Sequence, residues 1–218
     1  MKWLDALMPW RGARPLPDCR RWVVLDVESS GLDPRHDRLL AIAAIAMRID
    51  GRRALIDLGD SFEVVLQQPQ EGKAPDRQNI LLHGIGVGAQ RAGVAPRQAL
   101  QSFAAYAKSS PLIAFHAAFD RALIERACRD EHLALPAGGW LDLEPLAAVL
   151  QPQVKARSLD EWMQALDIRC AVRHQAAADT LATAELLLKL WPALLSELPR
   201  PGFKAAVALA AQRRWLPG

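Results

Sequence analysis

The chain predicts an α/β fold, a mixed sheet with helices on both sides, and two observations carry that prediction. Three strand-like segments follow one another at 22–28, 38–49 and 53–67; Phe62, Val64 and Leu66 alternate in the third, and a tight Asp50-Gly51 turn precedes it. From residue 96 the rhythm changes to alternating helical and strand-like stretches, the pattern that builds a sheet covered by helices.

Each element has its own warrant. The first three segments make an antiparallel meander. Residues 69–75, bounded by prolines, read as a loop, and 77–82 as a short helix before a His83-Gly84-Ile85 turn. Helix 96–108 opens on Pro96, strand 112–115 is a short apolar run, and helix 119–131 follows it. A strand at 140–143 and helices at 145–150, 158–166 and 176–191 complete the sheet and its cover, the last helix rich in Ala and Leu at helical spacing. Residues 1–20, with Trp3, Trp10, several arginines and two prolines, read as an N-terminal arm. Residues 21–195 read as the domain and 196–218 as a C-terminal tail, in which 199–218 forms one amphipathic helix closing on the domain.

Composition narrows the class. A chain of 218 residues with 51% hydrophobic content is long enough for one sizeable core and too apolar for disorder. A net charge of +3 and a pI near 9.0 permit an anionic partner without demanding one. Cys19, Cys128 and Cys170 are odd in number and widely spaced, which fits neither a disulfide framework nor a zinc site and points to a reducing cytoplasm. The longest apolar run, 39–47, falls short of the roughly 20 residues that span a bilayer. No secretory leader is recognisable, so a cytoplasmic protein with no membrane partner is expected.

The chemistry-bearing residues are acids. In Trp22-Val23-Val24-Leu25-Asp26-Val27-Glu28 the apolar run marks a buried strand, and side chains two apart on a strand share a face. Asp26 and Glu28 therefore stand side by side, and two adjacent carboxylates raise each other's pKa unless a cation holds them. A strand emerging into solvent is the ordinary alternative. Ser29-Ser30-Gly31-Leu32 argues against it, because small residues directly after the acids let a phosphate or a ligand backbone come close. Downstream lie Phe119-Asp120 and His174-Gln175-Ala176-Ala177-Ala178-Asp179, at separations of 92 residues from Glu28 to Asp120 and 59 from Asp120 to Asp179. Taken singly, Asp120 reads as a helix N-terminal acid, Asp179 as a solvated helix position and His174 as a surface histidine. Taken together they read as a metal-dependent nuclease site.

In this combination the chain resembles the DEDD exonucleases, the superfamily of the proofreading epsilon subunit of bacterial DNA polymerase III, over roughly residues 20 to 192. Asp26-Val27-Glu28-Ser29-Ser30-Gly31 is similar to the first motif, and His174-Gln175-Ala176-Ala177-Ala178-Asp179 fits the His-x-Ala-x-x-Asp motif of the histidine subfamily, DEDDh. Phe115-His116-Ala117-Ala118-Phe119-Asp120 departs from the usual His-Asn-Ala-x-Phe-Asp: it keeps the carboxylate and puts Phe and His where His and Asn are common. His83-Gly84-Ile85 and a strand-end Asp142 are softer likenesses.

The resemblance implies a ribonuclease-H-like fold and a 3′-to-5′ exonuclease releasing nucleoside monophosphates from single-stranded or frayed DNA ends. It implies two Mg²⁺ or Mn²⁺ ions about 3.5–4 Å apart, held by Asp26, Glu28, Asp120 and Asp179. His174 would be the base that takes a proton from water, since histidine titrates near neutral pH. Ser29, Ser30 and Gly31 would hold the terminal nucleotide, with Ile85 and Leu32 against its base. A DNA polymerase is the implied protein partner. Two other readings stay open at this point: an exoribonuclease of the same fold, because nothing in the motifs reads the sugar, and a non-catalytic nucleic-acid or polymerase-binding adaptor, favoured only by the altered Phe115-His116 pair.

Overall fold

A computed structural model describes residues 20–69, 77–198 and 200–215. The first three strands, β1 (Arg21–Ser29), β2 (Leu39–Asp50) and β3 (Arg53–Val65), form the expected antiparallel meander. On its other edge β1 pairs in parallel with β4 (Leu112–Ala114), which pairs in parallel with β5 (Trp140–Asp142), giving the order β3-β2-β1-β4-β5. Helices α1 (Arg77–His83), α2 (Val87–Ala92) and α3 (Pro96–Ala107) precede β4, and α4 (Ala117–Asp130) links β4 to β5. Then come α5 (Leu143–Leu150), α6 (Leu159–Ala165), α7 (Ala176–Glu197), α8 (Phe203–Ala210) and a 3₁₀ turn, Ala211–Trp215.

The differences from the sequence reading have local causes. Helix α2 went unanticipated; Gly88 inside it is a poor helix former and the segment is only six residues long. Helix α7 does not stop at 191: it passes through Pro192, because Leu190, Trp191 and Leu194 bury one continuous face, which outweighs the lost amide bond. The tail is not one helix but the short α8 followed by the 3₁₀ turn. The arm at 1–19 and most of the 69–75 loop lie outside the described residues.

Strand β1 is buried on both faces, and its alternation sorts the core. Trp22 and Val24 pack with α5, α6, α7 and α8, whereas Val23, Leu25 and Val27 pack with α3 and α4. The Trp22 ring meets Trp191 edge-on at 5.6 Å and Phe203 at 5.7 Å. Asp26 and Glu28 continue the Trp22 and Val24 parity, so the acids leave the strand on the α7 side. That helix is registered against the sheet by the buried Thr180 hydroxyl, which donates to the Ala43 carbonyl at 3.2 Å; Ala43 is the partner of Asp26 in the β1–β2 ladder.

On the far edge, β3 carries a bulge. Ile45 pairs with Ser61 but Ala46 with Asp57, so residues 58–60 loop out. The Asp60 carboxylate at its root takes two 2.8 Å bonds from Arg21 and one of 2.8 Å from Arg48, and the Tyr106 hydroxyl donates to the Asp60 carbonyl at 2.8 Å.

Phe203, 6% exposed, ties the tail to the strand that carries the acids. Phe203→Ala should therefore lower the unfolding free energy by about 3 kcal/mol, as expected for a buried aromatic. Urea titration followed by Trp fluorescence checks this; a loss below roughly 1 kcal/mol would show that the tail is not part of the same core.

Candidate active site

Four acids from three regions of the chain line one cleft of about 480 Å³ beyond the C-terminal end of β1: Asp26 and Glu28 from the strand, Asp120 from the first turn of α4, and Asp179 from the first turn of α7. Helix α4 begins just past β4, the parallel neighbour of β1, which brings Asp120 to the same sheet end. His174 lines the cleft too. Burial pushes Asp26 well above the usual carboxylate range, and Asp120, Glu28 and Asp179 push it further, with Arg173 opposing them. Glu28 is raised to about 8, first by burial and then by Asp179. Burial likewise raises Asp120, while backbone hydrogen bonds from its own amide and from Val27 pull it partly back.

Two histidines set up the helix starts that carry the downstream acids. His116 caps α4 in the left-handed conformation, φ 59°, and its amide donates to Asp142 Oδ1 at 3.0 Å; the same oxygen accepts from the Glu144 amide at 3.2 Å to cap α5. Asn, Asp and His adopt that backbone more readily than other residues do. The position usually held by Asn is thus a backbone position, and His116 meets its demand, its ring edge-on to Phe115 at 4.6 Å. His174 is also left-handed, φ 61°, and its amide donates to Asp179 Oδ2 at 3.2 Å, which closes the His-x-Ala-x-x-Asp turn on its own carboxylate.

The loop after the first acids behaves differently from expectation. Ser29 and Gly31 line the cleft, and the Ser29 hydroxyl donates to the Gly31 carbonyl at 2.6 Å. Ser30 does not line it: its hydroxyl donates to Asp37 Oδ1 at 3.0 Å and accepts from the Arg38 amide. A Cβ on Gly31 would lie 2.5 Å from Asp37 Oδ2, and Ser30 and the Asp33 amide hold that carboxylate in place. The glycine is therefore required by packing inside the loop. Ile85 is not among the residues that line the cleft; Leu82 and Asn79 of α1 line the wall, with Leu32. Buried His83 orders this corner, its Nε2 on Asn79 Oδ1 at 2.7 Å and its Nδ1 accepting from the Ile85 amide at 2.9 Å.

Sequence reasoning missed Arg173, Asp160 and Thr180. Arg173 Nε donates to Asp160 Oδ1 at 2.5 Å, and its guanidinium pairs with Asp179 Oδ1. Adjacency to His174 was the only available signal for Arg173, and nothing local marked Asp160 or Thr180.

Hard divalent cations take oxygen ligands, and a set of four carboxylates that repel one another with one arginine beside them fits that demand. Among the described residues no group of three or more His, Cys, Asp or Glu side chains stands close enough together to hold a metal ion as it is. The acids that would hold cations are Asp26, Glu28, Asp120 and Asp179.

Comparison with known proteins agrees with this arrangement. A family model described as an exonuclease matches residues 23–187. A DNA polymerase III subunit epsilon-like protein of Rhodobacter capsulatus is 30% identical over 178 residues, 79% of this chain and 24% of that protein. A PolC-type DNA polymerase III of Bacillus cereus is 26% identical over 185 residues, 84% of this chain and 12% of that protein. The chain thus spans a quarter or less of these relatives. The fold matches Escherichia coli exonuclease I in complex with a dT13 oligonucleotide, with a TM-score of 0.67 at 18% identity over 83% of this chain and 42% of the other. It also matches a moderately thermophilic exonuclease I from Methylocaldum szegediense, with a TM-score of 0.64 at 18% identity over 83% and 41%. These identities speak for the fold alone, a ribonuclease-H-like mixed sheet. No helix among the described residues is long and apolar enough to cross a membrane. Because the exonuclease model spans three quarters of the chain and the motif acids meet where that fold brings its strand ends together, the chain belongs to the DEDDh exonuclease family.

Proposed function

We propose that the protein is a 3′-to-5′ exonuclease that removes nucleoside monophosphates from single-stranded or frayed DNA ends. The observation that carries this reading is the meeting of Asp26, Glu28, Asp120 and Asp179 in one cleft with His174 on its wall. Mg²⁺ or Mn²⁺ bound by those carboxylates would supply the positive charge that activates a water and stabilises the leaving 3′ oxygen. His174 accepts the water's proton, and its left-handed backbone, tied through its amide to Asp179, fixes where the ring enters the cleft. Leu32, Leu82, Phe115 and Phe119 give the cleft an apolar wall for a base, and Ser29 and Gly31 form its floor beside the acids.

DNA is favoured over RNA because the matched exonuclease I structures include a complex with a deoxyoligonucleotide. A DNA polymerase is the proposed partner on the strength of the relatives' names. The retained acids speak against a non-catalytic adaptor. Side-by-side degradation of end-labelled single-stranded DNA, duplex DNA and RNA with Mg²⁺ or Mn²⁺ tests the reading. Single-stranded or mismatched DNA should shorten fastest from the 3′ end, since a paired end must first unstack at a cost of a few kcal/mol. A terminal 3′ phosphate should slow the reaction, and efficient cutting of circular single-stranded DNA would overturn it.

Asp26→Asn should reduce turnover to background while the circular dichroism spectrum stays that of the parent. The same variant should be more stable without metal, because it removes a carboxyl whose ionisation burial and its acidic neighbours oppose. The pH dependence has a definite sign. Glu28 titrates about 8 in the folded protein against an ordinary 4.5, so charging it costs folding energy that grows as pH rises from about 4.5 to about 8. Metal-free melting temperature should fall across that window and should recover with Mg²⁺; a flat profile without metal would show that Glu28 is not held buried beside Asp179.

His174→Ala should lower turnover by roughly 10²- to 10⁴-fold and remove the rising limb of the pH–rate profile. An unchanged profile would take His174 out of the reaction.

A further inference from the structure

Both oxygens of the Asp179 carboxylate are engaged. Oδ2 accepts from the His174 amide at 3.2 Å, and Oδ1 faces the Arg173 guanidinium and, at 3.9 Å, the Cys170 thiol. Arg173 is itself held at both ends. Its Nε is tethered to Asp160 at the start of α6, while its Nη1 is shielded from solvent and paired with Asp179. An arginine that stays charged under all ordinary conditions thus occupies the charge-balancing place among acids that otherwise repel one another. A divalent cation that ligates Asp179 through Oδ1 meets the guanidinium charge at that same oxygen, so metal and arginine compete for it.

Its alternatives are limited. Arg173 lines the same cleft as the acids, its Asp160 tether holds it at the cleft wall, and a guanidinium fork matches the oxygens of a phosphate in pairs. We propose that Arg173 is a resident counter-cation that holds Asp179 in the metal-free site and moves onto the phosphate of the terminal nucleotide when divalent ions take the carboxylates. This rests on the nuclease reading and adds to it a residue that both delays metal uptake and binds substrate. The exchange makes metal and nucleotide binding mutually dependent: metal frees the arginine that the phosphate needs, and phosphate holds away the arginine that competes with metal.

Two titrations of the folded protein test it. In calorimetry with Mg²⁺ alone, Arg173→Gln should bind the ion roughly tenfold more tightly than the parent, because a competing cation is gone. In the presence of saturating Mg²⁺, the same variant should bind thymidine 5′-monophosphate roughly tenfold more weakly. Arg173→Lys keeps the charge, so its Mg²⁺ affinity should stay within about threefold of the parent; this separates charge competition from a loosened loop. Equal or weaker Mg²⁺ binding by Arg173→Gln overturns the exchange, and so does unchanged nucleotide affinity. If the parent binds Mg²⁺ and degrades DNA while either of those results appears, the nuclease reading stands and only the arginine's role falls. A parent that neither binds Mg²⁺ nor degrades DNA sinks both.

Discussion

The molecule is organised around one constraint: like charges have to be brought together at the end of a strand that is buried on both faces. Strand β1 has Val23, Leu25 and Val27 locked against α3 and α4, and Trp22 and Val24 locked against the α7 side. Its register cannot slip by one residue without turning every side chain over. The parity that buries Trp22 is therefore the parity that delivers Asp26 and Glu28. Their mutual repulsion is tolerated because the surrounding apolar packing, and not the site, determines where the strand sits. Thr180 extends the same logic to α7, since its bond to Ala43 places Asp179 opposite the ladder position of Asp26.

Much of this was legible in the sequence where the signal is local. Alternation along 22–28, the Asp50-Gly51 turn, and the helical spacing of the last long helix each depend on neighbours in the chain, and each element begins within a residue of where it was expected. The pairing of distant acids became legible only through the resemblance, because no local rule links Glu28 to Asp179. What stayed hidden depends on contacts across the fold. Nothing in Ser30-Gly31 shows that Asp37, several residues on, fills the space in front of the glycine. Ile85 and Leu82 are equally apolar, and only the folded chain shows that Leu82, on α1, is the one that lines the cleft. A proline marks a helix end in most settings, but at Pro192 the buried face of α7 continues past it.

The departure at Phe115-His116 shows how a motif can change in letters while its backbone role persists. Both His116 and His174 take left-handed backbone conformations just before a helix whose first turn carries an acid, and both donate an amide to an aspartate. One structural device is used twice, and both histidines line the cleft of the acids, with His174 the proposed base. The altered pair keeps the backbone geometry that starts α4 and carries Asp120 in its first turn.

The bulge in β3 bears on how the molecule behaves in company. As the outermost strand it is long and displays Leu55 and Leu58, 63% and 68% exposed, a combination that invites another chain to add itself as a further strand. Looping out residues 58–60 breaks the row of evenly spaced amides and carbonyls that such an addition would copy, and Tyr106 already occupies the Asp60 carbonyl. The break is held by Arg21 and Arg48, whose pairing keeps the Asp60 carboxyl below the usual carboxylate range. Colloidal solubility at this edge is thus guarded by a three-residue electrostatic clasp, and strong acid, which discharges Asp60, is the condition that unfastens it.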